Sequence, residues 1–517
     1  MFTRVNPDLK PHGIAANAPH AIVIGAGLGG LSAAMRLGAK GYRVTVFDKL
    51  DSPGGRGSSI WQDGHRFDLG PTIVTVPQVF RDLWQACGRT FEDDVDLRAL
   101  DPYYEIRWPD GSNFAANGSD EDMFKEVTRL SPGDLDGYKK FLKESERRYW
   151  FGFENLGRRS MNQLWELIKV LPTFAWMRAD RSIYKHAARL VKDDRLRMAL
   201  SFHPLFIGGD PLNVTSIYAL VSHLEKAFGV HYAMGGVDAI ARAMVRVVEE
   251  QGGQVRQGAE VDEIVLRDNR VIGVQMNDGE LVSADIVVSN ADAGHTYSRL
   301  LRNAPLRRWT PPRLKRTRWS MGLFVWYFGT KGTKDMWPDV GHHTILSGPR
   351  YEGLLKDIFI KGKLADDMSL YVHRPGVTDP SVAPEGDDTF YALSPVPHLG
   401  HDNPVDWQTM EETYRQKVLD VLESRLLPGL GKHLTASCVF TPETFRDRYL
   451  SPNGSGFSIE PRILQSAWFR PHNISEEAGG LFLVGAGTHP GAGLPGVISS
   501  AEVLGQLVPD PAEVHRG

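Results

Sequence analysis

Gly25, Gly27, Gly29 and Gly30 lie within one short run, GAGLGG, and Asp48 follows 18 residues (48 − 30) after the last of them. That spacing suits a dinucleotide. Gly25 permits a tight turn, Gly27 lets the backbone approach a pyrophosphate, and Gly30 allows a helix to pack closely on a strand. The helix N-terminus then directs unpaired N–H groups at the phosphates, and an acid about 20 residues on accepts from a ribose hydroxyl. A glycine turn alone is weak grounds for this chemistry, but the elements that must position it are all in order. HAIVI (20–24) reads as a buried strand, LSAAMRLGAKG as a helix with small Ala33 and Ala34 against the sheet, and YRVTVF as a second strand ending at Asp48.

Two further glycine clusters narrow the cofactor. Pro53-Gly54-Gly55-Arg56 allows a second backbone approach to the same pyrophosphate and adds a cation, where an NAD dehydrogenase would run into its next crossover helix. Near the other end, LFLV (481–484) reads as a strand and GAGTHPGAGLPG as a loop carrying Gly485, Gly487 and Gly493. A helix is expected from Val497, just after Pro495-Gly496. A glycine-lined helix N-terminus suits a planar group that becomes anionic on reduction, as flavin does near N1, and the helix dipole favours it by ~0.3–1 kcal/mol. FAD is therefore the expected cofactor. Between these ends, Gly235-Gly236 opens a helix, and QVRQ, AEVDEIVLR, RVIGVQM and LVSADIVVSNAD read as strands. Val261, on the edge of the second, is expected to meet adenine through its backbone.

Composition limits the alternatives. Of 517 residues, 42 % are apolar and 24 % charged, the proportions of an ordinary globular protein. Lys+Arg at 59 against Asp+Glu at 63 leaves −4, which argues against a nucleic-acid partner. Cys87 and Cys438 lie far apart and outside any CxxC, which disfavours a disulfide framework or an iron–sulfur cluster and fits a reducing cytoplasm. No metal is expected, because the adjacent pair His342-His343 has no metalloenzyme spacing around it. GFENLGRRS (152–160) looks superficially like a phosphate loop but has Arg158 in the lysine position. The first twenty residues lack the apolar stretch of a signal peptide, and no window reaches the ~18 uninterrupted apolar residues of a membrane span.

Taken together, GAGLGG, PGGR, the central glycine–helix–strand block and GAGTHPGAGLPG resemble the FAD-dependent amine-oxidase-like superfamily, and within it the bacterial carotenoid (phytoene) desaturases. His489-Pro490-Gly491 carries much of that resemblance, with SFHPLFIGGDP (201–211), VVSNADAGHTY (287–297), APEGDDTFYALSPVPHL (383–399) and SAWFRPHN (466–473) extending it over nearly the whole chain. The resemblance implies an α/β fold. A discontinuous Rossmann-like FAD domain (18–75, 226–300 and 476–510) would join a mixed-sheet substrate domain (76–130 and 301–475) and a helical, membrane-facing part (131–225). It also implies a reaction, in which phytoene and partially desaturated carotenes lose a hydride to flavin N5 and a proton from the adjacent carbon, toward neurosporene or lycopene. A flavin amine oxidase, a redox-neutral carotenoid isomerase and a non-catalytic prenyl-binding escort share the fold and remain open.

A carotene offers no polar handle, so an aromatic-lined tunnel is expected, with WSMGLFVWYFG (319–329) supplying part of its wall. The substrate dissolves in bilayers, so contact with a lipid surface follows, on the cytoplasmic side of the inner membrane and peripherally. Two segments could make it: MNQLWELIKVLPTFAWMR (161–178), flanked by Arg158, Arg159, Arg178 and Arg181, and RNAPLRRWTPPRLKRTRW (302–319), with seven Lys/Arg and no acid. Oxygen or a membrane quinone would take the electrons. For acid/base work the candidates are Glu166 and Lys169, charges at i, i+3 in an apolar helix; a carboxylate in a greasy tunnel has a raised pKa and could accept the departing proton. A surface ion pair on an amphipathic helix is the competing reading.

Overall fold

In a computed structural model the chain is described over residues 17–514. Residues 1–16, most of the segment that lacks a signal-peptide pattern, lie outside the described residues.

The short apolar runs become a five-stranded parallel sheet. β1 (His20–Ile24) is buried at every position, leads into α1 (Leu28–Lys40), and pairs with β2 (Arg43–Phe47), Val23 opposite Val46. The spatial order is Leu481–Leu483, Ile286–Ser289, β1, β2, Gln254–Arg256, all parallel. Strands buried on both faces read as continuous apolar runs because helices cover each face. Ala33 and Ala34 of α1 are fully buried, and α1 lies against both the Gly236–Glu250 and the Leu494–Leu507 helices. Leu31, Met35, Ile240, Met244 and Ile498 share that core.

The run LVSADIVVSNAD divides between two sheets. Leu281–Ser283 alternates exposed and half-buried and closes an antiparallel meander with Val261–Arg267 and Arg270–Met276. Ile286–Ser289 is buried throughout and enters the parallel sheet. Asp285 pins the corner: its carboxylate accepts from the His20 N–H at 2.7 Å and its own N–H donates to the His20 carbonyl at 2.9 Å.

The second body is a seven-stranded mixed sheet in the order Leu434–Phe440, Gly322–Thr330, Asp388–Val396, Leu370–His373, His343–Leu346, Tyr104–Arg107, Asn113–Ala116. Its one parallel pair joins His343–Leu346 to Tyr104–Arg107. Gly322–Thr330 is buried on both faces, and side chains alternate between them. Phe324, Trp326 and Phe328 pack into a core with Trp407, Tyr414 and Val418 of the Trp407–Arg425 helix, whereas Leu323, Val325 and Tyr327 face the other way. Helices Leu135–Tyr149, Leu164–Trp176, Ile183–Ala188, Asp194–Ser201 and Leu220–Phe228 form the intervening helical part. Among the described residues no helix is long and apolar enough to cross a membrane.

Candidate functional site

The parallel strands of the first sheet end together, and each hands a functional residue to the same crevice. β1 runs into Gly25, β2 into Asp48, Ile286–Ser289 into Asn290, and Leu481–Leu483 into Gly485. Crevices at the carboxyl ends of such strands are where open α/β sheets hold ligands. Gly25 has φ +96° and its N–H reaches the Phe47 carbonyl at 2.7 Å, which makes the turn. Gly30 packs behind it so tightly that a Cβ would lie 2.0 Å from the Gly25 carbonyl oxygen. The PGGR turn closes on the first: the Gly54 N–H donates to the Ala26 carbonyl at 2.8 Å, and Gly27 bridges Gly54. The C-terminal loop arrives from the opposite side, where a Cβ on Gly29 would stand 3.1 Å from the Gly485 Cα.

One cavity of about 680 Å³ runs through this convergence. Gly25, Gly27, Gly29, Asp48, Gly54, Gly55, Arg56, Val261, Gly485, Gly493, Pro495 and Gly496 all line it. The helix after the C-terminal loop starts at Leu494, earlier than the expected Val497, because Pro495 sits in its first turn, where a missing N–H costs nothing. Gly30 and Gly487 are the exceptions among the glycines: Gly30 packs behind the turn, and Gly487 stands away from the cavity. Gly487 faces Ser458 and Ala293, where a Cβ would stand 2.7 and 2.9 Å away, so its role is packing and not contact with a cofactor.

The crevice chemistry fits FAD. Asp48 is buried and accepts from the Ala26 N–H at 2.6 Å and the Leu50 N–H at 2.8 Å. Its carboxylate retains acceptor capacity for a ribose hydroxyl. Burial raises its pKa, and those two N–H groups pull the other way. Arg56 donates to Ser451 and stands 3.9 Å from the buried Asp292 carboxylate, yet its Nε is buried with no partner. An orphaned guanidinium donor beside a cradle where a Cβ on Gly27 would meet Asn290 at 2.9 Å is what a pyrophosphate requires.

Beyond the nucleotide end, the cavity passes the inner face of the second sheet, where Leu323, Val325, Tyr327 and Leu393 form an apolar wall. The expected aromatic lining is thus supplied from 319–329 by Tyr327 alone, since Trp319 belongs to a separate core with Tyr297 and Trp309. A polar patch is set in the wall: Thr72 Oγ1 lies 3.0 Å from both the Tyr371 and Tyr391 hydroxyls.

Glu166 and Lys169 do not enter this cavity, which corrects their assignment as acid/base groups. Glu166 caps its own helix, its carboxylate accepting from the Gln163 N–H at 3.0 Å, and Lys169 lies 3.7 Å over the exposed Trp165 ring. The helix turns Leu167, Leu171 and Phe174 to the cavity instead. Its far side exposes Leu164, Trp165, Ile168 and Trp176 between 48 and 66 %, and Leu464 beside the same mouth is 69 % exposed. The 302–319 segment behaves differently: Trp309 and Trp319 are buried, and Arg313 stacks 4.0 Å over Trp309. Arg158, expected to face lipid headgroups, is bound to Asp82 at 2.6 Å and Glu502 at 3.0 Å.

Sequence reasoning missed Asn290, Asp292 and Tyr449, which lie between the glycine turns and Arg56. The order strand–Asn–Ala–Asp after Ile286–Ser289 was the available signal, since it repeats the strand-to-turn position of Gly25 and Asp48. It also missed His373. Antiparallel register sets His373 opposite His343, so that with His342 three buried imidazoles have ligand atoms within 4.8 Å of one another. Burial lowers the pKa of all three, and for His373 the Asp68 carboxylate pulls the other way. They contact Thr378, Tyr371 and Asp68 behind the cavity wall.

A model of the flavin containing amine oxidoreductase family matches residues 28–502. The chain is 70 % identical over 510 residues to a phytoene desaturase (neurosporene-forming) of Cereibacter sphaeroides, covering 99 % of this chain and 98 % of the relative. A protein of the same name from Rhodobacter capsulatus is 66 % identical, with 95 % and 94 % covered. Among solved structures, an oxidoreductase from Methanosarcina mazei aligns with a TM-score of 0.63 at 19 % identity over 93 % of this chain and 98 % of that one, a likeness of fold.

Proposed function

The chain belongs to the flavin containing amine oxidoreductase family, and from that premise we propose that it is an FAD-dependent desaturase that introduces double bonds stepwise into phytoene, with neurosporene as product. The observation that carries this is the single cavity joining the convergent glycine turns to an apolar wall. The neurosporene-forming relatives at 70 and 66 % identity supply the substrate and the product.

When bound, FAD supplies the oxidant, accepting a hydride from an allylic carbon while the adjacent carbon loses a proton. The chain's own residues do the rest. Asp48 would hold the ribose, the turns at Gly25–Gly30 and Gly54–Gly55 would admit the pyrophosphate, Arg56 would neutralise it, and the Leu494–Leu507 helix after Gly491–Gly493 would offer its N-terminus to the ring. Leu323, Val325, Tyr327, Leu393, Phe206 and Phe457 exclude water and hold the polyene by burial, at ~25 cal/mol per Å² removed from water.

A lipid-soluble substrate enters from a bilayer. The Leu164–Trp176 helix, with its exposed Trp165, Ile168, Leu171 and Trp176 and with Leu167 and Leu171 lining the cavity, is the docking element. The enzyme accordingly sits peripherally on the cytoplasmic side of the inner membrane, where oxygen or a membrane quinone reoxidises it.

The test is incubation of FAD-loaded protein with phytoene in liposomes, followed by absorbance of the extracted pigments. Yellow extracts with the neurosporene spectrum are expected, and colourless extracts overturn the assignment. Anaerobic flavin bleaching by amines but not by phytoene would favour an amine oxidase instead, and purified protein without flavin would favour an escort.

A further inference from the structure

Desaturation releases a proton into an apolar cavity, so some group there must accept it. Three histidines line the cavity: His203, His295 and His489. Burial pushes His295 and His489 down to about 4, and neither ring is hydrogen-bonded to a carboxylate among the described residues. The Tyr371 and Tyr391 hydroxyls are committed to Thr72, and burial raises both phenols.

His203 differs. Its Nε2 lies 3.2 Å from Oε2 of the buried Glu225 and 3.1 Å from the Tyr104 hydroxyl, which itself donates to that carboxylate oxygen at 3.0 Å. A carboxylate only accepts, so Nε2 carries the hydrogen and Nδ1 keeps its lone pair. That Nδ1 is buried and has no hydrogen-bond partner among the described residues. A base oriented by a second group, with its other ring nitrogen left unpaired, is the arrangement of an activated acid/base dyad.

Its position also fits. His203 begins the single turn His203–Ile207, whose last residue abuts the cofactor-facing loop, a Cβ on Gly493 standing 3.2 Å from Ile207. At 2.0 Å rise per residue the backbone of His203 lies roughly 8 Å along the turn from that of Ile207. His203 and Glu225 also line a second cavity of about 40 Å³, together with Tyr104, Asp120 and Lys226. That volume holds a water, and Asp120 and Lys226 are half exposed. The dyad therefore stands between the apolar cavity and a polar outlet.

We propose that Nδ1 of His203, held in place by Glu225, is the proton acceptor of the desaturation, an inference that rests on the desaturase assignment above. In the step, the C–H bond on the carbon adjacent to the site of hydride loss breaks. Its electron pair becomes the new C=C bond, and its proton passes to Nδ1. The neighbouring allylic C–H bond breaks with both of its electrons, and that hydride is the one that bound FAD would accept, so the pair of carbons loses one hydride and one proton for one new double bond. Glu225, a positioning residue, balances the resulting imidazolium, and the proton leaves through the small pocket.

The test uses the flavin-loaded full chain in phytoene liposomes. His203→Gln is expected to keep its flavin absorbance and its co-extracted phytoene while desaturation falls about 100-fold or more. His203→Ala is expected to fall likewise and to recover at least tenfold with added imidazole. Glu225→Gln, close in shape, should lower kcat with little change in KM for phytoene. A rate for His203→Gln within threefold of wild type, no recovery by imidazole, or a Glu225→Gln effect confined to KM each overturns the proposal. Colourless extracts from the wild type would instead remove the desaturase assignment itself.

Discussion

Gly29 and Gly485, from opposite ends of the chain, approach so closely that a single Cβ on Gly29 would lie 3.1 Å from the Gly485 Cα and 2.6 Å from Asn290 Oδ1. The first and last strands of the nucleotide sheet are both needed for this contact, so the site is incomplete until the C-terminal strand has docked.

Gly29→Ala should therefore separate the turns. Overpacking of this kind costs ~1–3 kcal/mol. The flavin-to-protein absorbance ratio of the purified variant is expected to fall well below wild type, with Tm reduced in parallel.

Arg56 and Asp292 form a pair at 3.9 Å in which Asp292 is almost wholly buried. Removing one partner of such a pair strands the other, at ~3–5 kcal/mol. Arg56→Ala is expected to lose flavin and to lower Tm. Arg56→Ala/Asp292→Asn should regain much of the Tm but not the flavin, because only the buried charge has been relieved.

Glu460 gives a pH signature. Burial lifts its carboxyl to about 7 from 4.5. A raised folded-state value favours the protonated form in the fold, so the associated stability is full below about 4.5, falls as pH rises, and is gone above about 7. At 1.36 kcal/mol per unit the span is about 3 kcal/mol. Glu460→Gln should flatten the Tm-against-pH curve over this window, and thermal melts from pH 5 to 8.5 would read it. A slope equal to wild type would refute the assignment.

Glu166→Gln, and likewise Lys169→Met, should leave desaturation within about twofold of wild type, since Glu166 caps its own helix and Lys169 covers an exposed ring. Glu166→Ala, which removes the cap that Gln would keep, should cost ~0.5–2 kcal/mol of local helix stability, visible as faster amide exchange over 164–168.

Ile168→Glu on the exposed face of the Leu164–Trp176 helix is expected to cut liposome association about tenfold or more without changing Tm, because Ile168 is 57 % exposed in the protein. Flotation with vesicles is the measurement. Equal flotation of variant and wild type would remove this helix as the docking element.

The cofactor end was legible in the residues themselves because its requirements are local. A positive φ at Gly25, a close helix–strand contact at Gly30 and an acid at the end of β2 are demands of backbone geometry that only certain residue types meet, at spacings set by one strand, one turn and one helix. Periodicity likewise showed that Gly322–Thr330 has two faces, without saying which face meets the cavity. That choice came from packing on the Trp407–Arg425 helix, which takes Phe324, Trp326 and Phe328 and leaves Tyr327 for the cavity. Glu166 and His203 mark the same divide. A charged residue in an apolar helix has the same local pattern whether it caps that helix or does chemistry. An imidazole becomes a base candidate only when a carboxylate such as Glu225 is brought to one nitrogen and the other is left unpaired. Such pairings join separate segments, and their existence depends on how whole elements dock, because the free energy that selects the docking is apolar burial spread over the entire core and not the preference of any short stretch.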